Sequence, residues 1–228
     1  MDTKTWIEGD PEDLKLLATA FATGDAQVRE EHGSYYLCSP TLDIFSSADL
    51  PTDEAEELLR LMNGIARSHD PFFNPARLSG STSRRGRTIV FKSVEVKWQV
   101  KAHGSKNPPQ DAPAHFLLSR ENSDVADAVK LMSAPRPNWV DLYKIHEIVR
   151  ESINPAKISQ LGWLTPREES AFTGSANHPL ASGADARHAR LSGARPKRII
   201  SIDEGQSLMA RLVISWMDWL LERDGIPE

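Results

Sequence analysis

Apolar residues recur at two different spacings along this chain, and the change from one to the other divides it. Leu14, Leu17, Ala18 and Phe21 repeat at helical spacing behind Asp10-Pro11, and Gly24 is placed to end that helix. Asp10 predicts the N-cap, and Pro11 suits the first helical position, where no amide proton is needed. The stretch AQVREEHGSYYLC predicts two short strands about a tight turn at His32-Gly33. Thr52 predicts the cap of a second helix, whose first turn (Asp53, Glu54, Glu56) suits the positive end of the helix dipole. The apolar face of that helix is Ala55, Leu58, Leu59, Met62 and Ile65. In TIVFKSVEVKWQVKA, Val94, Val96, Trp98 and Val100 alternate with Glu95, Lys97, Gln99 and Lys101, the period of a strand with one buried face. With a starting strand at residues 5–7, the order is strand, helix, strand, strand, helix, strand. That order predicts a ferredoxin-like layer of two helices on a small antiparallel sheet.

GSKNPPQDAPAH, residues 104–115, breaks this pattern with three prolines. After it the spacing is helical. A helix over 124–132 is followed by the proline break APRPN. Asn138 then caps WVDLYKIHEIVRESI, with Leu142, Ile145, Val149 and Ile153 as its buried stripe. His146, beside that stripe, reads as a helix-edge residue held by a hydrogen bond. Thr165-Pro166-Arg167-Glu168 is a capping box opening a short helix with Ala171, Phe172 and Ala176 on its apolar side. Ser201-Ile202-Asp203-Glu204 opens the last helix. There Leu208, Leu212, Trp216 and Leu220 fall at every fourth residue beside Met209, Val213, Met217 and Leu221. The predicted fold class is α+β: an α/β domain over 1–105, a Pro-rich linker over 106–121, and a four-helix bundle over 122–228.

Composition adds charge segregation to this picture. The 228 residues carry a net charge of −5. Residues 1–70 hold 15 acids and 5 bases, 71–120 hold 2 acids and 9 bases, and 121–228 hold 15 acids and 13 bases. The basic middle includes SRRGR, whose Arg84, Arg85 and Arg87 are candidates for binding phosphate or nucleic acid, or for answering the acidic remainder. A single cysteine, Cys38, rules out an intrachain disulfide. No apolar run approaches the roughly 20 residues that span a bilayer, and the acidic start MDTKTWIEGDPEDL is unlike a signal peptide. A cytoplasmic location is therefore expected. Neither HExxH nor paired-cysteine spacing, P-loop nor GxGxxG occurs, so no metal and no other cofactor is expected.

The densest chemistry lies in FTGSANHPLASGADARHARLSGARPKR, residues 172–198, between the third and fourth helices of the predicted bundle. Asn177 sits where a helix ends. Arg187, Arg190, Arg195, Lys197 and Arg198 supply positive charge close to the start of the Ser201 helix, a combination suited to phosphate. Phe172, Ala176-Asn177, Gly183 and Ala186-Arg187-His188 form a pattern similar to the tails of a type of bacterial protein, a resemblance that brings no activity with it. Over about residues 138–223 the chain also resembles HEPN domains, helical bundles of bacterial toxin and defence RNases that place an Arg and a His at this point.

The HEPN resemblance implies metal-independent RNA cleavage. A His would accept the 2′-hydroxyl proton or protonate the leaving 5′-oxygen, and an Arg would stabilise the phosphorane-like transition state. Arg187 and His188 are the matching residues, with Asn177 as a further candidate. They are adjacent, however, and adjacent residues on a helix point about 100° apart, so both reach one phosphate only from a non-helical backbone. The sequence therefore leaves two readings. In the first, the protein is a non-catalytic binding or regulatory component, with a protein partner or a second copy of itself expected before nucleic acid. A bacterial stress or antiphage setting is implied by the resemblance alone. In the second, it is a HEPN-like RNase or nucleotide-handling enzyme centred on Arg187 and His188.

Overall fold

The structure, a computed structural model, describes residues 2–44, 52–84, 87–90, 109–178 and 198–224. By its packing the chain divides into two compact units, Met1–Arg67 with Phe72–Leu117, and Ser68–Pro71 with Leu118–Glu228.

The first unit is a five-stranded antiparallel sheet with helices. Its elements are β1 (Thr3–Glu8), α1 (Pro11–Ala20), β2 (Gln27–Glu31), β3 (Ser34–Cys38), α2 (Pro40–Asp43), α3 (Thr52–His69), β4 (Arg77–Arg84) and β5 (Arg87–Val90). The strand order is β2-β3-β1-β4-β5. Because each neighbouring pair is antiparallel, β1 and β2 run parallel with β3 between them, and β3 and β4 run parallel with β1 between them. These are two interleaved split β-α-β units, the ferredoxin-like arrangement, extended by β5. The expected Asp10 cap is present, its carboxylate accepting from the amides of Glu12 and Asp13. At the β2–β3 turn both His32 (φ 52°) and Gly33 (φ 78°) are left-handed, which is the geometry of a two-residue I′ hairpin. Thr3, Thr5 and Ile7 of β1 point inward, while Trp6 on the other face stacks edge-on against Tyr36 at 5.4 Å.

Two expectations are corrected here. The strand beside β1 is β4, a polar segment (RLSGSTSR) without apolar alternation, and not the 88–102 stretch. Of that stretch the described part ends with β5 at Val90, and Val94 to Val100 lie outside the described residues. Residues 112–121, placed in the Pro-rich linker, form helix α4 (Ala112–Glu121). Pro113 stands in its first turn, where the amide has no intrahelical acceptor to lose, so it starts the helix rather than breaking it. His115, Phe116, Leu118 and Ser119 of α4 are buried.

The second unit packs α5 (Ser123–Met132), α6 (Trp139–Ser152), α7 (Pro166–Asn177) and α8 (Ile202–Asp224) as a four-helix bundle with α6 against the other three. Asn138 and Asp141 close a capping box at α6. The predicted stripe of Leu142, Ile145, Val149 and Ile153 is buried, joined by Trp139 and His146. On α8 the buried line runs through Met209, Val213, Trp216 and Leu220. Leu212 and Met217 are buried as well, so six of the eight predicted positions lie in the core, and Leu208 and Leu221 are half-buried at its edges. Among the described residues no helix is long and apolar enough to cross a membrane.

Candidate functional site

The two ends of the 172–198 stretch are held by α7 and α8. Helix α7 starts on a closed capping box: Thr165 Oγ1 accepts from the Glu168 amide at 3.2 Å, and Glu168 Oε2 accepts from the Thr165 amide at 2.8 Å. Arg211 of α8 reaches the other Glu168 oxygen at 2.6 Å. The Arg211 guanidinium, with the Thr165 donors behind it, holds the Glu168 carboxyl down at about 2. Since an ionised carboxylate already satisfied by these donors is at its most stable here, Glu168 serves as a brace between α7 and α8.

At its other end α7 forms a clasp on Ser175, which is fully buried. The His178 amide donates to the Ser175 carbonyl at 3.2 Å as the helix ends. The Ile200 amide, arriving just ahead of α8, donates to Ser175 Oγ at 2.9 Å. One residue thus ties the chain where it leaves α7 and where it returns. Asn177 is the last residue of α7; its side-chain Nδ2 donates to the Thr173 carbonyl at 2.9 Å, and its buried Oδ1 has no partner among the described residues. Arg198 pairs with Glu204 at 2.9 Å, and Glu204 also closes the expected box with Ser201. Of the candidates in this stretch, Asn177 and Arg198 are therefore located. Arg187, His188, Arg190, Arg195 and Lys197 lie outside the described residues.

Below the clasp, α6 and α7 share a buried polar contact. His146 is 2% exposed, and its Nε2 lies 3.1 Å from Glu169 Oε1. An ionised carboxylate accepts, so the ring carries its proton on Nε2 and turns a lone pair on Nδ1 into the interior. Nδ1 has no partner. The Phe172 and Tyr143 rings stand 5.7 Å and 6.0 Å from the imidazole. Burial pushes the His146 pKa below its ordinary value, against the opposing pull of Glu169. The ring is therefore neutral at pH 7.

In the first unit, Arg84 donates to the Asp43 carbonyl at 2.6 Å. Asp43 in turn accepts from the amides of Asp2 and Thr3. Arg84 thus ties β4 to the end of α2, whose Asp43 carboxylate in turn holds the start of β1. Arg87 pairs opposite Arg84 in the β4–β5 ladder through its backbone. Arg85 and the Arg87 side chain lie outside the described residues.

Sequence reasoning located the two capping boxes but missed the Ser175 clasp and the partner of His146. The one trace of Ser175 was a small polar residue inside the apolar face formed by Ala171, Phe172 and Ala176. Among the described residues no cluster of His, Cys, Asp and Glu has the makings of a metal site. No protein-family model, no curated protein and no solved structure matches this chain.

Proposed function

We propose that the protein works by binding a partner, with the segment between α7 and α8 as its contact element and the four-helix bundle as the rigid base. The observation that carries this reading is the clasp: Ser175 anchors both ends of a stretch whose intervening sequence holds Arg187, Arg190, Arg195 and Lys197 against one acid, Asp185. A binding element on a rigid scaffold loses less conformational entropy when its partner arrives. The chemically versatile groups around the clasp also have structural occupations, Glu168 with Arg211, Glu169 with His146 and Arg198 with Glu204. The partner is a protein surface or a second copy of this chain, with nucleic acid as the further candidate for the cations. A bacterial stress or antiphage setting belongs to this proposal through the HEPN resemblance.

Two titrations test it. Sedimentation velocity over a concentration series reads self-association, and fluorescence anisotropy with single-stranded RNA reads nucleic-acid contact. For RNA, saturable binding that weakens steeply with salt supports the reading, as counterion release requires. The competing HEPN-like RNase gains if the same RNA is shortened during the titration, without added metal, in a manner that depends on Arg187 and His188.

A further inference from the structure

The imidazole of His146 has one ring nitrogen bonded to Glu169, while the other is buried and, among the described residues, has nothing to accept from. In its neutral form this costs little, since an unused lone pair is the mildest kind of unsatisfied group. A second proton changes that. It would place an N–H donor and a positive charge where the described residues offer Nδ1 no acceptor, and burial penalises an unpaired donor and an ion together. The groups able to offset the charge are few. Glu169 on α7 already takes the Nε2 proton, and on α6 itself lie Glu147, Tyr143 and the like-charged Arg150. Helix α8 brings Arg211, which is drawn to Glu168. Helix α5 turns the apolar Val125, Ala128, Val129 and Met132 inward. The favourable Glu169 contact is outweighed by burial, consistent with the lowered proton affinity of the ring.

We propose that His146 is a proton-operated catch: proton uptake at Nδ1 parts α7 from α6 and thereby loosens the bond between Ile200 and Ser175. The geometry supplies the linkage. Glu169, which holds His146, and Ser175, which holds Ile200, are on the same twelve-residue helix. Displacing α7 from α6 at Glu169 and Phe172 therefore moves the clasp with it. The catch stands on these contacts by itself, while its effect on a partner rests on the binding reading above.

The test is amide hydrogen exchange of the full chain at pH 7.5 and pH 5.0, scaled for the intrinsic rate, in the parent and in His146→Gln. Glutamine keeps an N–H donor for Glu169 and takes up no proton. In the parent, protection of the α7 amides and of Ile200 should fall at least tenfold at the lower pH while α5 amides change less; in the variant it should stay level. Should the variant fail to fold, nitrogen NMR of the parent's imidazole decides the matter, because the His146 protonation midpoint must coincide with the loss of α7 protection. Equal protection at both pH values in the parent, an equal fall in the variant, or protonation of His146 with α7 still protected would each overturn the catch. Because no partner is present in these measurements, failure of the binding reading leaves them unaffected.

Discussion

The ring of Trp139 on α6 lies against Gly205 on α8, so close that a β-carbon at 205 would stand 2.9 Å from Cζ3 and 3.0 Å from Cη2 of the indole. Glycine is required there by space, since it sits in an ordinary helical turn. Gly205→Ala should lower stability despite alanine's better helix propensity, by about 1 to 3 kcal/mol of overpacking. Denaturant melts measure this, and an unchanged or raised midpoint would show that Trp139 can move aside.

Ser175→Ala removes the acceptor for a buried amide, that of Ile200, while leaving the shape of the core nearly intact. An unsatisfied buried donor costs about 1 to 3 kcal/mol. The loss should appear both in the melt and as faster exchange at Ile200. Parent-like protection at Ile200 would mean that the clasp is not what holds the returning chain.

Acid should weaken the bundle through Glu168. Its folded pKa of about 2 lies below its ordinary 4.5, so the folded state binds fewer protons than the unfolded one between those values. The stability that it contributes is complete above about pH 4.5 and is lost as pH falls towards 2. Glu168→Gln should therefore be less stable than the parent at pH 7, and the gap should narrow between pH 4.5 and pH 2. A gap that stays constant across that window would remove Glu168 from the acid response.

The hairpin turn offers a stabilising change. His32 holds φ 52° beside Gly33 at φ 78°, a conformation that asparagine adopts more readily than histidine. His32 is exposed, so His32→Asn should raise stability slightly, by roughly a few tenths of a kcal/mol, read as a small rise in the melting midpoint. A fall would point to a contact of the imidazole that outweighs backbone preference.

What the sequence disclosed and what it withheld follow from range. The α1 cap at Asp10, the boxes at Thr165 and Ser201 and the His32-Gly33 turn are bonds between residues two or three apart, so their chemistry is written in adjacent letters. The ferredoxin-like strand order was also within reach, because the alternation of helix and strand limits the topologies. Strand β4 was not, since Ser79 to Ser83 carry no apolar alternation and become a strand by pairing with β1, more than seventy residues earlier. Helix α4 was hidden by prolines counted as breakers. The contacts that define the candidate site are of the long-range kind as well: His146 with Glu169 is 23 residues apart, and Ile200 with Ser175 is 25.

Whether the segment between α7 and α8 binds RNA or cleaves it decides between the two readings of this protein. The most direct measurement is a metal-free incubation of the protein with end-labelled single-stranded RNA, resolved on a denaturing gel, alongside Arg187→Ala and His188→Ala variants whose melts match the parent. On the binding reading the parent should leave the RNA no shorter than buffer alone does. Cleavage by the parent that either variant loses, with folding intact, would contradict it and assign Arg187 and His188 to an active site.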